Sequence, residues 1–117
     1  GVEPERAADA KASLEQGRIV EAERIDTVAD GLRVKRIGSL NFEILRKYLD
    51  EVVTVTEEEI LAAVGTLAER AKLVVEPSGA VTLAAVVNGK VRSTGPTAVI
   101  LSGGNVDKQL LAQVLTS

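Results

Sequence analysis

The chain has 117 residues, of which 45% are hydrophobic and 26% charged, as expected for one ordinary globular domain. A net charge of −3 without a basic run argues against nucleic-acid binding, and the absence of cysteine and histidine excludes disulfides, thiolate metal sites and the commonest general base. No apolar stretch approaches the roughly 18 residues of a spanning helix and no signal-peptide pattern is visible, so we expect a cytoplasmic protein that binds no membrane.

The first half of the chain predicts two helices separated by an irregular region. Pro4 suits the first turn of one helix, and Gly17 supplies its stop. Residues 18–41 show little periodicity and predict a long loop. Asn41 is the expected cap of a second helix over residues 42–50, whose apolar side chains recur at helical spacing.

The second half predicts two short strands and three helices. Residues 52–55 are rich in valine and predict a strand. Thr56, with Glu59 three residues later, predicts a capping box at the start of a third helix. The inner face of that helix is expected to carry Ile60, Val64 and Leu67.

The end of the chain indicates α/β architecture with a parallel sheet. A buried helix over residues 78–87 precedes an apolar strand over 97–101, a glycine turn and a last helix opened by Asn105. Two strands alone would leave a sheet with bare edges, so we expect further strands from sequence outside this chain.

The glycine turn Ser102-Gly103-Gly104 is the first candidate site. Ligands of α/β sheets bind at the carboxyl ends of strands, where glycine permits close approach and a serine hydroxyl offers one hydrogen bond. The alternative is a plain strand-to-helix turn with Ser102 as a cap.

Acidic residues supply three further candidates. Glu3 and Asp9 are suitable ligands for a hard cation, or else acids that complement a helix dipole. Glu76 follows an apolar run and is expected to be partly desolvated, as functional carboxylates often are, or else it caps the next helix. Asp30 lies beside Gly31 in a loop, which is either a site or an ordinary turn.

Taken together and in order, these segments resemble the C-terminal half of the threonine dehydratase (threonine ammonia-lyase) and serine racemase family. The segments that carry the likeness are Val2–Pro4 with Asp9, Thr27–Leu32, Val52–Ile60, Lys72–Ala80 and Leu101–Asp107. The resemblance implies a fold-type II pyridoxal-phosphate enzyme. Residues 1–117 would be the C-terminal part of its cofactor-binding large domain, a partial three-layer sandwich with a short parallel sheet.

The resemblance also implies roles for the candidate residues. Ser102 matches the serine that bonds the pyridine nitrogen of pyridoxal phosphate, with Gly103 beside it. Glu76, Asp30 and Gly31 match residues next to the cofactor. A divalent-cation site for Mg²⁺ or Ca²⁺ is implied at Glu3, the backbone carbonyl of Ala7, and Asp9.

The family's cofactor lysine and its phosphate-binding glycine run belong to an N-terminal half that this sequence lacks, so no catalytic residue is expected here and the isolated chain is expected to be inactive. With that half as partner, the enzyme would convert a small amino acid, L-threonine or L-serine, to a 2-oxo acid and ammonia. The alternatives are part of a serine racemase, or a non-catalytic module that associates with itself. In either case the bare sheet edges favour a homo-oligomer.

Overall fold

A computed structural model describes all residues, Gly1–Ser117, as five α-helices and a two-stranded parallel sheet, which confirms the α/β class. In chain order the elements are β1 (Val2–Pro4), α1 (Asp9–Gln16), α2 (Ser39–Tyr48), β2 (Val53–Val55), α3 (Glu57–Thr66), α4 (Pro77–Val87) and α5 (Lys108–Thr116). A 3-10 turn at Asp30–Leu32 interrupts the connection from α1 to α2, and a π-helical turn at Leu67–Ala71 extends α3. None of these helices has the length and apolar character needed to cross a membrane.

The first strand of the sheet was missed from sequence. Pro4 was expected in the first turn of a helix, but it ends β1, which pairs with β2 in parallel so that Pro4 lies opposite Val55. The amide of Glu5 continues the ladder by donating to the carbonyl of Val55 at 2.9 Å, and Pro4, which has no N–H, occupies a position that donates no bond to β2. Helix α1 therefore begins at Asp9, and Gly17 ends it in the left-handed conformation as predicted.

The core lies between the sheet and the two central helices. Helix α4 packs against both strands, and α3 packs against α4 and α5. The predicted inner face of α3 is confirmed, since Ile60, Val64 and Leu67 are all buried. The capping box is also confirmed: the hydroxyl of Thr56 accepts from the amide of Glu59, and the Glu59 carboxylate accepts from the amide of Thr56 at 2.9 Å.

Two sequence predictions for the last part of the chain were also wrong. Residues 97–101 form no strand, because no strand lies beside them; Ile100 is 75% exposed, and its carbonyl accepts from the hydroxyl of Thr82 on α4. Helix α5 begins at Lys108 and not at Asn105, because the carboxylate of Asp107 caps it by accepting from the amides of the second and third helical residues.

The start of α2 also differs from the prediction. The helix begins at Ser39 after Gly38, so Asn41 lies inside its first turn and does not cap it. Its last residue is Tyr48, close to the predicted end. The predicted loop therefore ends at Gly38 and not at residue 41, and between Arg18 and Gly38 the 3-10 turn is its only regular part.

Candidate functional site

Most of the candidate residues meet at the N-terminal end of α4. The helix starts with Pro77, whose fixed φ angle and missing N–H suit the first helical position. Three segments from distant parts of the sequence converge on this end: the loop of Asp30 and Gly31, the residue Glu76, and the turn that begins at Ser102. The sequence predicted each segment separately, and the structure brings them together.

Glu76 is the residue around which the glycine turn folds. Its amide donates to the carbonyl of Gly103 at 3.2 Å, and its carboxylate accepts from the amide of Asn105 at 3.1 Å. Gly103 has a φ angle of +75°, and a β-carbon there would lie 2.6 Å from the carboxyl carbon of Glu76. Only glycine satisfies both conditions, because other residues rarely adopt this φ and their β-carbon would collide with the carboxylate.

The backbone of Ser102 lies directly against Gly79 of α4. A β-carbon at Gly79 would lie 2.6 Å from the carbonyl carbon of Ser102, and closer still to its oxygen. Gly79 is buried, whereas Ser102 is exposed. The backbone of the turn thus packs directly on α4, and Ser102 remains at the surface where a ligand can reach it.

The Asp30 loop contacts the same end of α4 through Ser78. The amide of Gly31 donates to the hydroxyl of Ser78 and to the carboxylate of Asp30, both at 2.9 Å. A β-carbon at Gly31 would lie 2.9 Å from the Ser78 oxygen, so the serine hydroxyl would have to move and its hydrogen bond to the loop would change. Asp30 itself is exposed.

Sequence reasoning missed the roles of Ser78 and Gly79. Both were interpreted as the beginning of a helix, which they are. The available signal was the glycine at the third helical position, where it weakens the helix unless something must approach closely. That contact comes from Ser102, which lies in a separate segment much later in the chain.

Glu3 and Asp9 form a second, separate acidic pair. The carboxylate of Glu3 accepts from the amides of Ala10 and Lys11 at 3.0 and 2.8 Å, at the start of α1. Burial raises the pKa of Glu3, and the nearby charge of Asp9 raises it further; burial also raises the pKa of Asp9.

This pair fits a hard cation in its chemistry. Asp9 is only 2% exposed, and its Oδ1 atom is buried without a hydrogen-bond partner. Ala7, whose carbonyl is the third implied ligand, is also buried. The side chains contribute two acids and no more, since no group of three or more acidic residues suited to a metal occurs in the chain. Asp9 is buried and Glu3 half-buried, so a cation that neutralised these two carboxylates would offset the cost of holding them away from water.

The sequence matches a known family over most of its length. Residues 1–103 match the family of pyridoxal-phosphate dependent enzymes, and the chain belongs to that family. It is 47% identical over 116 residues to an L-threonine ammonia-lyase of Geobacter sulfurreducens, covering 98% of this chain and 29% of that protein. It is 36% identical over 117 residues to a serine racemase of Schizosaccharomyces pombe, covering 99% of this chain and 36% of that protein.

Solved structures agree with the sequence relatives. The crystal structure of a T.th. threonine deaminase matches with a TM-score of 0.86 and 50% identity over 92% of this chain and 39% of its own. Maize serine racemase matches with a TM-score of 0.85 and 36% identity over 97% of this chain and 36% of its own. The fold is therefore that of fold-type II pyridoxal-phosphate enzymes, and the chain spans about a third of the length of the curated relatives it matches.

Family membership makes pyridoxal phosphate the cofactor of the complete enzyme. The residues at the N-terminal end of α4 fit one edge of such a group. An exposed serine and an acidic loop contact successive residues at the start of α4, and at Gly31, Gly79 and Gly103 an added β-carbon would lie within 3.0 Å of a neighbouring atom. A rigid polar surface of this kind can orient a ring and its substituents, because it needs no rearrangement on binding.

Proposed function

We propose that residues 1–117 are the C-terminal part of the cofactor-binding large domain of a lyase. With an N-terminal half that carries the cofactor lysine, this lyase would deaminate L-threonine or L-serine to a 2-oxo acid and ammonia. The observation that carries the proposal is the convergence of five candidate residues on the start of α4: Asp30, Gly31, Glu76, Ser102 and Gly103. The ammonia-lyase names of the relatives support the reaction class.

In this proposal Ser102 holds the ring nitrogen of the cofactor. Pyridoxal phosphate supplies the electron sink for bond cleavage next to the amino group. A serine hydroxyl is neutral, so Ser102 does not stabilise a protonated ring nitrogen as a carboxylate would. The cofactor is then a weaker electron sink, which favours elimination of a β-substituent. Glu76 and the Asp30 loop would border the ring and the bound amino acid.

A divalent cation is proposed for the second site. Glu3, the carbonyl of Ala7, and Asp9 would bind Mg²⁺ or Ca²⁺ through oxygen atoms. The unpaired buried oxygen of Asp9 supports this assignment. The cation would have a structural role, because its ligands join the end of β1 to the start of α1.

A serine racemase is the second candidate. The serine racemase of Schizosaccharomyces pombe and the maize structure favour it, since both resemble the chain along nearly its whole length. The two reactions are separated by the products from L-serine, which are a 2-oxo acid for the lyase and D-serine for the racemase. In both cases we propose a cytoplasmic homo-oligomer, to which exposed apolar residues such as Ile100 are suited.

The test of the lyase is a variant of Ser102 in the enzyme that contains this chain. Ser102→Ala should lower turnover of threonine by roughly tenfold or more, because a hydrogen bond at the ring nitrogen is lost. Ser39→Ala, at an exposed position of α2, is the matched control and should leave turnover unchanged. Wild-type turnover in Ser102→Ala would eliminate the assigned role.

The division between two halves has its own test. The purified 117-residue chain, mixed with pyridoxal phosphate and treated with borohydride, should show no cofactor adduct on a lysine by intact mass. An adduct that survives dialysis and localises to one lysine would contradict the proposal that the cofactor lysine belongs to another segment.

A further inference from the structure

Thr27 begins the Asp30 loop and is fully buried. Its hydroxyl donates to Oε1 of Glu57 at 2.7 Å and accepts from the amide of Ala29 at 3.2 Å. Its carbonyl accepts from Nε of Arg33 at 2.7 Å. Both oxygens of Thr27 are therefore hydrogen-bonded within the protein, and three residues hold the start of the loop: Glu57, Ala29 and Arg33.

Glu57 holds two successive residues of this loop with one carboxylate. Besides Oε1 on the Thr27 hydroxyl, its Oε2 accepts from the amide of Val28 at 2.5 Å. Hydrogen bonds to an ionised carboxylate are roughly twice as strong as those between neutral groups. Glu57 and Glu58 both lie in the first turn of α3, where an acid complements the helix dipole. Glu58 is exposed, whereas Glu57 bonds the loop, so Glu57 does more than complement the dipole.

The held residues lead directly into the candidate site. The carbonyl of Val28 accepts from the amide of Asp30, and the next amide, that of Gly31, donates to Ser78 at the start of α4. Ala29, between them, is buried in the core with residues of α3 and α4. The loop is thus fixed to both central helices, by Glu57 on α3 and by Ser78 on α4.

We propose that Glu57 is a positioning residue, which sets the place of Asp30 and Gly31 relative to Glu76 through its bonds to Thr27 and Val28. The proposal rests on the proposed function in one respect, namely that the Asp30 loop borders the cofactor and the amino acid. Glu57 itself contacts neither of them in this proposal. Its carboxylate acts on the loop backbone, where a change alters geometry and leaves the chemistry of the reacting groups unchanged.

The test compares Glu57→Ala with Glu58→Ala by amide hydrogen exchange in the enzyme containing this chain. Both variants remove an acid from the first turn of α3, so their loss of dipole compensation is similar. Exchange at Val28, Ala29 and Gly31 should rise by roughly tenfold or more in Glu57→Ala and stay at the wild-type rate in Glu58→Ala. Equal rates in the two variants would overturn the proposal.

Two milder variants keep the test decisive if Glu57→Ala fails to fold. Thr27→Val keeps the side-chain shape and removes the hydroxyl, and Glu57→Gln retains one oxygen for the Val28 amide. Each should raise exchange in the loop while the amides of the buried residues Ala84 and Ala85 stay protected. A rise of equal size in both regions would mean that Glu57 stabilises the whole fold, which would overturn a positioning role.

Steady-state kinetics separate this inference from the proposed function. If the loop borders the amino acid, Glu57→Ala should raise KM by about tenfold while the absorbance of the bound cofactor is retained. Raised exchange with unchanged KM and kcat would overturn the link between Glu57 and the site. If the wild-type enzyme binds no pyridoxal phosphate, the proposed function fails, and the exchange measurements alone still decide whether Glu57 fixes the loop.

Discussion

Replacing Gly79 by alanine should displace the Ser102 turn while the core stays folded. A β-carbon at Gly79 would lie 2.6 Å from the carbonyl carbon of Ser102 and 2.9 Å from Cγ1 of Val75, whereas ordinary contact begins at 3.4 Å. The Ser102 group is backbone, so it cannot rotate aside as the end of a side chain can. The turn must therefore move away from α4 as a unit.

The size of the effect follows from two opposing contributions. Overpacking a buried position costs about 1–3 kcal/mol, and alanine in a helix gains about 1 kcal/mol over glycine, so we expect a net loss of up to about 2 kcal/mol in unfolding free energy. Few bonds hold the turn, among them those of Glu76 to Gly103 and of Thr82 to Ile100, so the turn should yield before the helices do. A displacement of about 1 Å at a site of this kind can lower turnover by roughly 100-fold.

Gly65→Ala is the matched control, because Gly65 is also inside a helix. A β-carbon there would meet Cγ1 of Val114 at 3.1 Å, which is the end of a side chain that can shift. We expect Gly65→Ala to be neutral or slightly stabilising in urea unfolding, with wild-type turnover. If Gly79→Ala matched Gly65→Ala in both measurements, the reasoning from the Ser102 contact would be refuted.

Two further predictions concern stability. Burial raises the pKa of Glu3 and Asp9 above their ordinary values of 4.5 and 3.8, so the stability contributed by their protonated forms is present at low pH and lost as pH rises through the raised values. Mg²⁺ or Ca²⁺ should therefore raise Tm more near about pH 8 than near about pH 4. Asp9→Asn should stabilise the metal-free protein and abolish the rise in Tm on adding the cation. An equal rise in Tm at both pH values would contradict a site made of these acids. In urea unfolding, Thr56→Ala should lower the unfolding free energy by about 1 kcal/mol, because the capping box is lost. Thr66 is the control: its exposed hydroxyl bonds only the carbonyl of Ala62, so Thr66→Ala should change the unfolding free energy by less than about 0.5 kcal/mol.

The features that sequence predicted well depend on near neighbours. The capping box of Thr56 and Glu59 spans three residues, and Gly17 ends α1 through its own φ angle. The strand at Val53–Val55 follows from β-branched side chains next to that cap. In each case the residues that decide the structure are adjacent in the chain, so the pattern is visible without the fold.

The features that the sequence did not predict correctly depend on residues that are far away in the chain. Val2–Pro4 is too short and too rich in helix-start signals to be read as a strand, and only its pairing with Val53–Val55 makes it one. Residues 97–101 have the composition of a strand, but composition does not supply a neighbour to pair with. Glu57 and Ser78 resemble ordinary helix-start residues, and nothing local distinguishes Glu57 from Glu58.

The long sequence separations within the candidate site have a consequence for folding. The bonds that assemble it join residues far apart: Gly31 to Ser78 across 47 positions, Thr27 to Glu57 across 30, and Glu76 to Asn105 across 29. Contacts of such range form slowly, because the intervening chain must be closed before they can stabilise anything. The helices can therefore form early, whereas the site is completed only after the core has brought its distant segments together.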